Sequence, residues 1–390
     1  VEEVLAAFSR LVSVTLMLLL SQQAAVVVEK VAVNAVMAGC KPEYLPVVLA
    51  AVEAALDPAF SMHGVLCTTH FVGPIVVVNG PIAQRIGMNC GVNALGQGNR
   101  ANSTIGRALQ LVIRNVGGGR PGEIDRATIG NPGKVGLCFA EDESKTLWKP
   151  FAEERGIATG KSAVTLYAGE GQMGNFDQLS REPESLTRSL AMSIKAIGHP
   201  KRAPGHDVLV VMGHEHFRVY DRAGWTRERT MQEFEEVLTM PADDLLRGVG
   251  GVAEGLPASM AGKTVNKVRP GGLNIVRAGG EAGLMSALIG GWAASGERGG
   301  GFKSDVAPAD DHGCAGLGHG VVERERIRVV PDVVHARKVA AHGRRELERG
   351  APDGDDELLV AGRERRRQAG EDPESGGAGA HRRERTVSGP

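Results

Sequence analysis

The chain has 390 residues, 45 lysines and arginines against 46 aspartates and glutamates, a formal net charge of -1 and 4% aromatic residues. With no chain-wide basic excess and too few aromatics for a stacking platform, nucleic acid is not an expected partner, which leaves a small-molecule ligand. Five widely spaced cysteines (Cys40, Cys67, Cys90, Cys138, Cys314) spell neither a secreted disulfide framework nor a CxxC metal site, and a reducing cytoplasm fits them best.

Residues 1–28 are atypical. Val1–Phe8 reads as a short helix, and the apolar run Leu11–Leu20 is too short to cross a bilayer. Glu2 and Glu3 stand where a signal peptide carries positive charge, so the run is read as a buried segment and no membrane partner is expected. VEKVAVNAVMAGC suits a helix or a buried strand ending at Gly39. KPEYLPVVLAAVEAALDP is a predicted helix: Pro42 fits its first turn, Glu43 complements the dipole, and Asp57-Pro58 stops it. Cys40 stands just before that amino terminus, where a thiolate is stabilised, and becomes the candidate nucleophile or redox thiol. Its bland alternative is a small buried hydrophobe, the state of most cysteines.

HGVLCTTH and VGPIVVVNG follow as predicted strands, and His70, at the end of the first, is the candidate general base. A Gly/Asn-rich loop then enters, near Ser103, an amphipathic helix in which Ile105, Leu109, Val112 and Ile113 recur at helical spacing. Unpaired amides and the dipole at such a junction favour an anion, so Arg100, Asn102, Ser103 and Arg107 are assigned to holding one. GGGRPGEIDRATIGNPGK is a long turn-rich segment. VGLCFAED, SAVTLYAGEG and DVLVVMG are predicted strands, SKTLWKPFAEERG a loop and helix, and Glu182–Ile197 a helix.

HEHFRVYDRAG sets His214 and His216 two apart. On a strand the pair would share a face and suit a metal; opening a helix splays them, no third ligand stands at useful spacing, and neither metal nor cofactor is assigned. His214 is kept as a substrate contact. WTRERTMQEFEEVL is a helix capped by Thr226, and ADDLLRGV another introduced by Pro241. NKVRPGGLNIVRAGGEAGLMSALIGGW reads as strand, glycine turn and helix, with Arg277, Gly279 and Gly280 disposed toward an anion. No complete GxGxxG or P-loop lysine marks a nucleotide. Residues 301–390 form a low-complexity charged tail without an aromatic residue after Phe302, read equally as disordered and as an out-of-frame translation.

NAVMAGCKPEYLPVVLAAVEA, TTHFVGPIVVVNGPIAQ, GQGNRANSTIGRALQLVIRNVGG, NPGKVGLCFAEDE and NIVRAGGEAGLMSALIGGW together resemble an uncharacterised bacterial protein family and, more loosely, the UGSC (seleno)protein group, although no UGSC or CGSC motif occurs. The resemblance spans roughly residues 29–300. It implies a shared fold and brings no catalytic residue with it.

The expected architecture is α/β, a mixed sheet flanked by helices over residues 29–300, with strands beginning near Gly64, Gly73, Val135, Ala163, Asp207 and Leu273. Its glycine turns gather at the sheet's carboxyl edge. The expected function is a cytoplasmic enzyme, a thiol-dependent hydrolase, transferase or oxidoreductase, acting on a small anionic or carbonyl-containing metabolite. A non-catalytic anion-binding protein and a frame-altered, inactive chain are the alternatives, and a homo-oligomer is left open.

Overall fold

A computed structural model of the protein describes residues 26–57, 60–144, 148–292 and the short strand Arg328–Val329, all within the first of two compact units, Val1–Leu347. The readings made for residues 1–25 and for nearly all of the tail fall outside the described residues. In chain order the elements are α1 (Val28–Ala38), α2 (Leu45–Leu56), α3 (Met62–Cys67), β1 (Gly73–Asn79), α4 (Pro81–Arg85), α5 (Arg100–Asn115), β2 (Cys138–Ala140), α6 (Phe151–Glu154) and β3 (Ala163–Phe176). There follow α7 (Pro183–Ala196), β4 (His206–Met212), α8 (His214–Arg222), α9 (Arg227–Leu238), the small hairpin β5 (Thr239–Pro241) and β6 (Thr264–Asn266), then β7 (Val268–Arg277), β8 (Met285–Gly291) and β9 (Arg328–Val329).

The fold is a mixed sheet flanked by helices. Its main path runs β2-β1-β3-β8-β4-β7, and β9 pairs with the start of β3. β1 and β2 are parallel, as a helical crossover requires, and so are β4 and β7; β3 and β8 return antiparallel between the two pairs. The two halves therefore repeat one plan: a strand, a short helix, a long helix, a parallel edge strand, and an antiparallel return. Gly169 of β3 and Gly291 of β8 pair with each other where the halves meet.

Apolar residues alternate along these strands and fill both sheet faces. Ile75, Val77, Phe139, Tyr167, Leu209, Val211, Val276 and Ile289 come from all six strands of the main path and form one shared cluster. On the opposite face, Val76, Val78, Cys138 and Leu166 pack under α1, α2 and α5, while Val208, Val210, Ile275 and Leu288 pack under α7, α8 and α9. The sheet curls around the shared cluster until its far corners touch: the Asp142 amide, just beyond β2, donates to the Arg277 carbonyl of β7 at 2.8 Å. The Arg277 Nε returns a bond to the Asp142 carbonyl at 2.9 Å. The carboxyl ends of β1, β2, β4 and β7 thus converge at this closure, and the amino ends of β1 and β4 lie against the Gly169–Gly291 pair.

Several elements differ from expectation. The HGVLCTTH stretch near Gly64 is the helix α3, because Met62, Val65 and Leu66 bury one helical face. LMSALIGG is the strand β8 instead of a helix: pairing on both sides, with β3 and β4, overrides the helix-forming Leu, Met and Ala. α5 begins at Arg100, and ADDLLRGV supplies only a 3-10 turn, Ala242–Leu245. Thr226 caps α9 as expected, accepting from the Arg229 amide.

Candidate functional site

Each parallel pair delivers backbone and side chains to the closure. His214, the first residue of α8, lies directly past β4 and its Gly213; its Nε2 is 2.8 Å from Asp142 Oδ2. The Ser144 amide and hydroxyl bind Asp142 Oδ1 at 2.9 and 2.7 Å, and an Arg277 terminal nitrogen lies 3.3 Å from the same oxygen. Burial alone would raise the Asp142 carboxyl, but the Ser144 bonds and the Arg277 and His214 charges outweigh it and hold the group below the usual carboxylate range. Asp142 is therefore an ionised group that faces the His214 ring at ion-pair distance, although His214 Nε2 is not aligned for a hydrogen bond.

A thiol that sequence reasoning left aside stands beside this pair. The loop between α4 and α5 reaches across to β7, where the Cys90 carbonyl accepts from the Gly279 amide at 2.9 Å. Burial pushes the Cys90 thiol up, the Asp142 and Glu143 carboxylates push it further, and Arg277 opposes them. Val92 rests against Gly280, where any Cβ would sit 2.9 Å from its methyl carbon, and Ala94 joins the shared cluster inside the sheet. The loop is a lid over the closure, and glycine is needed beneath it.

The anion-binding residues assigned from sequence divide. Asn102, 2% exposed, spends its side chain on the lid: Oδ1 accepts from the Asn89 amide at 3.0 Å, and Nδ2 donates to the Asn89 and Ala94 carbonyls. Asn99 caps α5 by accepting from the Asn102 amide at 3.0 Å, so a side chain of the same chain already occupies that helix end. Arg100 donates to the Gly39 carbonyl, and Ser103 and Arg107 are exposed farther along the helix. The Gly279 amide is bound to Cys90, which makes the Gly279-Gly280 turn the seat of the lid.

Cys40 and His70 lie elsewhere. Cys40 is 8% exposed and its thiol donates to the Thr104 carbonyl at 3.3 Å; burial pushes it up to about 11, against smaller lowering effects of that bond and of Arg100. It therefore stays protonated at neutral pH. His70 precedes β1 at its amino end, with Nε2 2.7 Å from Glu170 Oε1 beside the β3 irregularity, and so belongs to the opposite side of the sheet from the closure. His216 is buried, with its ring nitrogens 2.8 Å from Ser286 Oγ and 3.1 Å from the Asp177 carbonyl. Among the described residues no group of three or more His, Cys, Asp or Glu side chains is placed to hold a metal ion.

Just inside the closure lies a polar layer. Asn79 Nδ2 donates to Glu141 Oε2 at 2.5 Å and to Glu143 Oε1 at 2.8 Å, and the Gly80 amide binds Glu143 at 2.7 Å. The Phe151 amide donates to Glu141, and Arg155 reaches Asn274 on β7 while its guanidinium stacks 3.4 Å over the Phe151 ring. Comparison with protein-family models, curated proteins and solved structures finds no match to this chain.

Proposed function

We propose that the protein is an enzyme acting on a small carbonyl-containing or anionic metabolite at the closure of the sheet, with His214 as its acid–base residue, Asp142 as the carboxylate that faces it, and Arg277 supplying positive potential. The observation that supports this most is the 2.8 Å approach of His214 and Asp142 at the joined carboxyl ends of four strands, under a lid seated on glycine. Ligands of open α/β sheets bind outside such strand ends. Cys90 is the thiol nearest this chemistry. A thiol-dependent step there requires His214 or the substrate to draw its proton away, since Asp142 and Glu143 disfavour the thiolate. No helix among the described residues is long and apolar enough to cross a membrane, and a reducing cytoplasm remains the proposed setting.

Burial pushes both the Cys40 and the Cys90 thiol up, which gives weight to a second reading, a non-catalytic binding protein that uses the same closure. Turnover of esters, thioesters and keto acids by the full chain separates the two. Under the enzyme reading Asp142→Asn lowers kcat/KM on the order of 10²-fold, the typical share of one acid–base group. Thermal stabilisation by such compounds with no turnover supports the binding reading; neither response, from a folded protein, overturns both.

A further inference from the structure

A second pair of reactive groups lies outside this site, on α3. Positions 63 and 67 are one helical turn apart, so their side chains share a face. Cys67 Sγ lies 3.2 Å from His63 Nε2 and 3.8 Å from Nδ1, and both residues are partly exposed. The helix is held on several sides. Met62, Val65 and Leu66 are buried, the Arg126 amide binds the Leu66 carbonyl at 2.9 Å, and the Thr128 amide binds that of Thr69 at 2.9 Å. Gly64 faces the Trp292 ring so closely that a Cβ would lie 2.9 Å from it. α3 therefore has little freedom to separate the pair. Among the other described cysteines, Cys40 and Cys138 are buried, and Cys90 faces two carboxylates.

We propose that His63 and Cys67 form a thiol-exchange site whose substrates are small disulfides. His63 Nε2 takes the Cys67 proton. The sulfur then attacks one sulfur of the disulfide along its S–S axis; a new S–S bond forms to Cys67 as the old one breaks, and the departing thiolate keeps the electron pair and recovers the proton from the imidazolium. The small disulfide is the oxidant, and the product is a mixed disulfide on Cys67.

The test treats the full chain at neutral pH with 5,5′-dithiobis(2-nitrobenzoate), following the released thiolate by absorbance and locating the labelled cysteine by mass spectrometry. The expected result is a first phase on Cys67, at least tenfold faster than labelling of Cys40 or Cys138, absent in Cys67→Ser and slowed at least fivefold in His63→Gln. With each cysteine followed through its own labelled peptide, a Cys67 rate no higher than that of Cys40 or Cys138, or one unchanged in a folded His63→Gln variant, overturns the proposal. Should His63→Gln not fold, Cys67 in the native chain is compared with Cys67 in the urea-unfolded chain: an equal or higher native rate supports the pair, and a tenfold lower one overturns it.

Discussion

At the scale of single residues, the polar layer inside the closure makes stability depend on pH in a direction unusual for acidic groups. Burial pushes Glu141 up to about 7 despite the bonds from Asn79 and the Phe151 amide, and pushes Glu154 up to about 7 despite Arg227 and Arg155. Between the ordinary carboxylate range and pH 7 the folded chain therefore holds two protons that the unfolded chain has released, so stability falls as pH rises through that window and levels off above it. His206, held down to about 4 by burial and by Lys267, acts oppositely over part of the same range: its contribution is lost as pH falls from 6.5 toward 4. His216, also held down by burial, opposes the two glutamates in the same sense as His206, so the acidic contribution is read by difference. From pH 5 to pH 7 the urea midpoint is expected to fall more, or rise less, in the native protein than in Glu141→Gln, and equal pH profiles in the two proteins contradict the assignment. Sequence reading kept His214 for its position past a strand and set Glu141 and Asp142 at the end of the predicted strand VGLCFAED, but gave none of Glu141, Asp142 and Glu143 a role. The one local signal was alternation: Phe139 and Glu141 are two apart, so the buried face of β2 continues into the carboxylate.

At the scale of elements, close approach explains what composition conceals. A Cβ on Gly106 would lie 2.2 Å from the Gly136 carbonyl oxygen, so α5 packs against the turn before β2 only because the residue is glycine. Gly106→Ala is expected to cost about 1–3 kcal/mol, the range for overpacking, and to lower the Tm by several degrees; an unchanged Tm would mean that the helix shifts freely. Asn102→Ala strips partners from the Asn89 and Ala94 backbone groups. A loss of about 1–3 kcal/mol is expected, with faster alkylation of Cys90 as the lid loosens. Equal alkylation rates in the two proteins would detach Asn102 from the lid. The amphipathic spacing of α5 and the β-branched runs of β1 and β4 made these elements readable, since each buries one periodic face or a whole strand. β8 was not readable, because its strand character comes from two neighbours distant in sequence. Its clue was the terminal Gly290-Gly291, where a Cβ on Gly291 would lie 2.3 Å from the Tyr167 hydroxyl.

At the scale of the whole molecule, two copies of one strand-and-helix plan, joined at Gly169 and Gly291, place their parallel edges at a single meeting point. The copies carry different residues there. Where β2 runs on into Glu141, Asp142 and Glu143, β7 runs on into Ala278, Gly279 and Gly280, so the first half brings carboxylates and the second brings room, Arg277 and His214. No local spacing could reveal that convergence, which depends on how far the sheet curls. The most direct test is a thermal-shift screen of small carboxylates, keto acids and esters against the full chain, repeated on His214→Gln and His70→Gln. The account expects compounds that stabilise the native protein to lose their effect in His214→Gln and to keep it in His70→Gln; stabilisation that survives the first change and disappears with the second would move the site to the opposite side of the sheet.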